Sequence, residues 1–221
     1  MVADLEVLNN EHSVLQLLGA LLTSAPEKEQ LELLITTDIF SHIPFSGEQE
    51  KTKEGQQALI RWMKEPLEES FAAIKSDYED LLTNASTSPA LPWESAFLQE
   101  DPTSYVLDAL PVDRWYGRFK YAVEATEQVP LDHIGVQLQF LAMLTNMTIK
   151  DEQKKKPFFT ALLTREMQGI KKDFLQQHAL RWTAKWARLM NEHAKSDYYR
   201  GLALLVQGVL KEMKALYCEK R

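Results

Sequence analysis

One stretch constrains this chain more than any other, Val129-Pro130-Leu131-Asp132-His133-Ile134-Gly135-Val136-Gln137-Leu138-Gln139-Phe140-Leu141-Ala142-Met143-Leu144. From Ile134 to Leu144 apolar residues run almost all the way round a helical wheel, so a helix here is buried on most sides. A proline can stand as the first helical residue, because its missing N–H would lack a partner there anyway. Asp132 then falls in the first turn, where a carboxylate faces the positive end of the helix dipole. The expectation is a buried central helix opening at Pro130, with an Asp-His pair at its mouth. The rest of the chain has to be built round that helix.

The remaining sequence supplies helices to do so. Only 8 Gly and 9 Pro occur in 221 residues, and the stretches between them are long and periodic. That favours an all-α fold of about nine to eleven helices in a single domain covering 1–221. Asp4 caps a first helix with Leu5, Leu8, His12, Leu15, Leu18 and Leu22 at helical spacing. Ser24 and Glu27 have capping-box spacing and open a second. Thr37 to Gly47 reads as a loop, Gln56 to Lys64 as a third helix, and Pro66 starts a fourth. A short helix is expected over Thr103 to Ala109 and another over Asp113 to Ala125. Beyond the central helix, three more run from Phe158 to about Lys172, Asp173 to about His193, and Asp197 to near Cys218, with Asp197 as N-cap. The polar run from Asn146 to Pro157, with Lys154-Lys155-Lys156, reads as a linker or hinge. A hinge there would let two copies form a homodimer by exchanging C-terminal helices.

Charge divides the chain. Residues 1–149 hold 9 Lys/Arg against 24 Asp/Glu, and residues 150–221 hold 16 against 8. An acidic body with a basic C-terminal part argues against nucleic acid as partner and suits a basic ligand. A single cysteine, Cys218, excludes an internal disulfide and fits a reducing compartment. No stretch approaches the ~18 apolar residues of a membrane span. These features together give the expectation of a cytosolic protein with no membrane insertion.

Signatures of catalysis are scarce. The chain has no phosphate-cradling or dinucleotide glycine motif and no H-E-x-x-H, and its five histidines do not pair at ligand spacing. No metal or cofactor is expected. Asp132 and His133 could in principle do acid/base work, but adjacent helical residues diverge by about 100°. No nucleophile accompanies them. An enzyme using this pair would need an enclosed polar pocket with a third titrating group. A plain helical scaffold would bury every aromatic between 93 and 121. His178, on an apolar helix face, reads as a satisfied core histidine.

Binding is better supplied. Leu91-Pro92-Trp93-Glu94-Ser95-Ala96-Phe97 puts large apolar residues in a loop, where they either tuck into the core or line a surface. Aromatics recur up to Tyr121, and between Glu94 and Asp132 there are 8 acidic residues and 3 basic ones.

Three stretches, taken in order, resemble the TorD/DmsD/NarJ family of cytosolic redox-enzyme maturation chaperones. Leu91-Pro92-Trp93-Glu94-Ser95-Ala96-Phe97-Leu98 is similar to the family's Pro-Trp-x-Ser-aromatic loop. Pro130-Leu131-Asp132-His133-Ile134 resembles its P-x-D-H signature. Phe174-Leu175 through His178 and Trp182 to Tyr198-Tyr199-Arg200-Gly201-Leu202-Ala203 resembles its last helices. Val129 stands where many relatives carry an acidic residue. The resemblance implies an all-α chaperone, not an enzyme, that binds the twin-arginine leader of an apo molybdenum-cofactor oxidoreductase. It would assist cofactor insertion and hold export back. Such a leader is basic at its start and apolar in its middle, so it needs carboxylates beside exposed rings. Trp93, Phe97, Tyr105 and Tyr116 are expected to form the apolar wall, with Ser95 and Pro130 beside it. Asp132, Glu94 and Glu127 would attract the arginines, while His133 and Gln137 donate or accept locally.

Overall fold

The computed structural model describes residues 4–43, 49–98, 111–153 and 157–219. Ten α-helices are found among them: α1 (Leu5–Thr23), α2 (Lys28–Thr36), α3 (Glu50–Trp62), α4 (Leu67–Asp77), α5 (Ser95–Leu98), α6 (Val112–Arg118), α7 (Ile134–Gln153), α8 (Pro157–Gln177), α9 (Ala179–His193) and α10 (Asp197–Lys214). A 3₁₀ turn covers Ile39–His42, and π-type turns cover Tyr78–Thr83 and Ala215–Glu219. No strand occurs among the described residues apart from one isolated bridge, so the all-α reading is correct.

Two antiparallel helix pairs carry the core, and each pair meets at glycines. In α1 and α7, a Cβ on Gly135 would lie 2.5 Å from Thr23 Cγ2 and 2.9 Å from the Gly19 carbonyl oxygen. Further along, His12 Nδ1 sits 3.0 Å from the Ala142 carbonyl oxygen. In α3 and α10, a Cβ on Gly55 would lie 2.5 Å from Leu205 N. Only the absence of side chains lets backbones approach this closely. Helix α9 packs on α10, and α8 runs along α7 and α9. Between the layers sit Trp62 against Phe40 and Tyr198, and Phe140 against Tyr116 and Phe174.

The central helix is as buried as its composition demands, with Ile134, Leu138, Phe140, Leu141, Ala142 and Leu144 all sealed. Its opening is displaced, however. α7 starts at Ile134, and Pro130 to Asp132 form a turn ahead of it, so Pro130 is not the first helical residue. The expected linker is also corrected over residues 146–153, because α7 continues through Gln153. Its polar composition misled: the hydroxyls of Thr145 and Thr148 donate to the Leu141 and Leu144 carbonyls one turn back, and Ile149 is buried. Residues 154–156 lie outside the described part.

Smaller boundaries move for local reasons. Ser24 ends α1 instead of capping α2, whose N-cap is Glu27 with no side-chain bond. The third helix begins at Glu50. The helix expected to reach Ala125 stops at Arg118, where Lys120 turns left-handed (φ 52°) and Tyr121 N–H returns to the Tyr116 carbonyl at 2.9 Å. The break placed near Lys172 falls at His178. Ser196, one residue before Asp197, caps α10 by accepting from Tyr199 N–H. The short helix expected over Thr103 to Ala109, and Tyr105 with it, lies outside the described residues.

Candidate functional site

The aromatic loop becomes a strap across the mouth of α7. Ile134 N–H donates to the Pro92 carbonyl at 2.8 Å and Glu94 N–H to the Asp132 carbonyl at 3.2 Å, which makes Trp93 and His133 an antiparallel bridge pair. In this pattern the facing side chains lie side by side. Trp186 Nε1–H donates to the Ala90 carbonyl at the strap's start (3.1 Å), and Phe97 stacks on Trp182 near its end (5.3 Å between centroids). The strap is thereby pinned to both α7 and α9.

The turn beneath it is heavily bonded. The Pro130 carbonyl accepts from His133 N–H, the Leu131 carbonyl from the Tyr116 hydroxyl at 3.0 Å, and the Asp132 carbonyl from Gln137 Nε2 as well as from the strap. Asp132 does not sit in the first turn of α7. Its Oδ2 accepts from Ser95 N–H at 2.7 Å and so caps α5 from across the bridge. The carboxylate is half-buried, with Oδ2 committed. His133 is the true cap of α7: its Nδ1 accepts from Gly135 N–H at 3.0 Å. That bond leaves the ring proton on Nε2, which is buried without a partner among the described residues. Burial pulls the imidazole from its ordinary 6.5 down to about 3, so it is neutral at pH 7.

Glu94 lies wholly inside. Its Oε2 accepts from Gln137 Nε2 at 2.7 Å, and its Oε1 faces His178 Nδ1 at 3.0 Å. His178 is indeed a satisfied interior histidine, and it stands at the break between α8 and α9. Glu94, Tyr116, His133 and Gln137 therefore hold the site from behind instead of facing a ligand. Tyr116 is 3% exposed among Phe140, Phe174 and Tyr121, and its hydroxyl is held well above its usual range by burial, then by Tyr121, Glu94 and Asp132. The carboxylate of Glu94 was expected outside because charged residues are seldom fully buried unless paired. Here the pairing comes from residues 43 and 84 positions away, which no local pattern reveals.

Trp93, Ser95, Phe97, Pro130 and Asp132 are half-buried, and Glu127 is exposed. Beside the mouth of α7 opens a cleft of about 420 Å³. Thr23 of α1, Tyr78, most of the segment Tyr121 to Val129, and Val136 and Gln139 of α7 line it. None of the ten described residues singled out in the sequence is among its lining residues. Glu127 belongs to the segment that forms one wall. Tyr78 lies on the apolar side of its helical stretch and reads as core, and Tyr121 belongs to the aromatic run 93–121 without being singled out, yet both residues are only half-buried. A crevice at this helix end is thus present, built from other rings than expected.

Asp132 and His133 point to different partners, Ser95 and Gly135, and neither lines the cleft. Among the described residues no group of three or more His, Cys, Asp or Glu is placed to hold a metal. No described helix is long and apolar enough to cross a membrane. Trp93, Phe97, Phe119 and Tyr121 keep part of their rings exposed, which a plain scaffold would not require.

Comparison with known proteins reaches the same region. The profile of the nitrate reductase delta subunit family matches residues 47–188, which include the strap, the turn and the mouth of α7. The chaperone protein TorD of Aliivibrio fischeri is 24% identical over 88% of both chains. TorD of Aggregatibacter aphrophilus is 24% identical over 87% of this chain and 83% of its own. The probable Tat proofreading chaperone DmsD of Haemophilus influenzae is 25% identical over 63% of this chain and 59% of its own. The chain belongs to the nitrate reductase delta subunit family, with TorD and DmsD chaperones among its relatives.

Proposed function

We propose that the protein is a cytosolic chaperone that binds the twin-arginine leader of an apo molybdenum-cofactor oxidoreductase, assisting cofactor insertion and proofreading export. The observation that carries this reading is the open cleft beside the mouth of α7, walled by Tyr78, Tyr121, Val129 and Val136 with Glu124 on its rim. Apolar leader residues bury against those rings, which supplies affinity in proportion to area removed from water. The arginines are drawn by Glu124, Glu127 and Asp132, whose carboxylates match a guanidinium fork. Trp93 and Phe97 extend the apolar edge along the strap. Glu94, Tyr116, His133 and Gln137 contribute by fixing the turn on which Asp132 stands. The names of the relatives, TorD chaperone and Tat proofreading chaperone, agree with this chemistry.

The test is titration of the protein with a synthetic twin-arginine leader and with its Lys-Lys counterpart, at low and high salt. The arginine peptide binds, and the lysine peptide binds about tenfold more weakly, a difference of about 1.4 kcal/mol. Asp132→Asn weakens binding and flattens its salt dependence, because one screened attraction is gone. Equal affinity for both peptides, or none for either, overturns the reading; an unchanged D132N removes Asp132 from it.

A further inference from the structure

A fully buried carboxylate is an odd anchor for a loop. Taking it out of water is costly, and an apolar side chain of similar size is often as stabilising or more so. Glu94 nevertheless sits at 0% exposure in the middle of the strap, held by two donors from different elements: Gln137 Nε2, one turn into α7, and His178 Nδ1, at the break between α8 and α9. Its own backbone N–H pairs with the Asp132 carbonyl, and its carbonyl accepts from Phe97 and Leu98 N–H. The next residue along, Ser95, offers the N–H that holds Asp132 Oδ2. What a carboxylate provides here and a leucine cannot is direction. Two hydrogen bonds from fixed donors set the rotation of the strap about the Trp93–His133 bridge, and that rotation decides where Ser95 N–H points.

We propose that Glu94 is a positioning residue for peptide binding. It never touches the peptide, but by locking the strap onto Gln137 and His178 it aims Ser95 N–H at Asp132 and so turns the remaining carboxylate oxygen outward. This rests on the leader-binding reading above and names the device that prepares its cationic end. The chain of action runs from the buried joint through one backbone N–H to the half-buried acid. Only its last member responds to salt in the solvent.

Two variants separate positioning from contact. Glu94→Gln is nearly isosteric; its amide oxygen accepts from Gln137 and its amide nitrogen donates to His178 Nδ1 once the imidazole carries its proton on Nε2. It keeps the joint while removing a charge. Glu94→Ala removes the joint. The expected result is leader affinity within about threefold of wild type for E94Q, with the same salt dependence. For E94A it is a loss of about tenfold or more. Hydrogen exchange at the amides of Glu94 to Leu98 in the peptide-free protein rises at least about tenfold in E94A and stays unchanged in E94Q, while the amides of α1 and α7 keep their protection. E94A binding as tightly as wild type overturns the proposal. So does E94Q falling as low as E94A with a flattened salt dependence, since Glu94 would then meet the peptide's charge itself. Should E94A fail to fold, Gln137→Leu serves in its place, as it removes one of the two donors. Should the wild-type protein bind no leader, the leader reading fails. The joint then stands on exchange alone: a local rise in E94A sustains it as the strap's anchor, and unchanged exchange refutes it.

Discussion

His133 shows how one residue can be mistaken for chemistry. Its imidazole caps α7 through Nδ1, its other nitrogen is sealed, and burial leaves it neutral down to about pH 3. In the unfolded chain the same ring takes a proton near 6.5. Between those values the unfolded state binds more protons than the folded one, so stability rises with pH across that window and falls as the solution is acidified from about 6.5 towards 3. Each pH unit inside the window costs about 1.4 kcal/mol. Asparagine caps helices as well as any residue and does not titrate. His133→Asn is therefore less stable than wild type at pH 7, where it loses the packed ring, but its stability declines more gently in acid. Urea unfolding at pH 7, 5.5 and 4.5 checks this; parallel declines in the two proteins would show that the ring protonates in the folded state.

At the scale of elements, close glycine crossings decide what can be changed. Gly135 and Gly19 let α1 and α7 touch backbone to side chain, and α7 there supplies Val136 and Gln139 to the cleft. Gly135→Ala forces the helices apart and costs about 1–3 kcal/mol as overpacking. Gly169 is an exposed position inside α8 with nothing within 4 Å of an added Cβ. Gly169→Ala accordingly stabilises by about 0.5–1 kcal/mol through helix propensity alone. Thermal melts of the two variants should move in opposite directions, and a shared direction would refute the crossing argument. Such distances are not written locally in a sequence. Helix identity was, because the burial of α1 and α9 repeats every three or four residues and α7 is apolar almost all round. The strap was legible only in part. Its rings announced a special loop, whereas its pairing with His133 and the burial of Glu94 depend on residues tens of positions away. The cleft was missed because Tyr78 occupies a position that looks like ordinary core in one dimension, and nothing local shows that it meets Tyr121, 43 positions on.

The whole molecule is tied across its long connections by a second buried ionic cluster. Glu11 of α1, at 0% exposure, accepts from Thr145 of α7 at 2.5 Å, from Lys171 of α8 at 2.7 Å, and from the Tyr217 hydroxyl in the last turn. Lys171 also lies over the Tyr217 ring, 4.8 Å from its centroid. The acidic front of the chain thus meets its basic rear inside the core, on both sides of residues 154–156. Removing one member of such a pair strands a buried charge, so Lys171→Met lowers stability by about 3–5 kcal/mol. In Glu11→Gln/Lys171→Met no charge is left unpaired, and the double variant costs less than the two single changes added together. Additive losses would mean that the two groups do not sense each other. The same cluster bears on exchange of C-terminal helices between copies. In a dimer that exchanged the helices after residue 156, Glu11 would meet Lys171 and Tyr217 of the other copy, while Glu11–Thr145 and Lys171–Tyr217 would stay within one chain. Light scattering during size exclusion of concentrated protein should then reveal a dimer that K171M destabilises as much as the monomer. A purely monomeric profile over a wide concentration range would remove exchange.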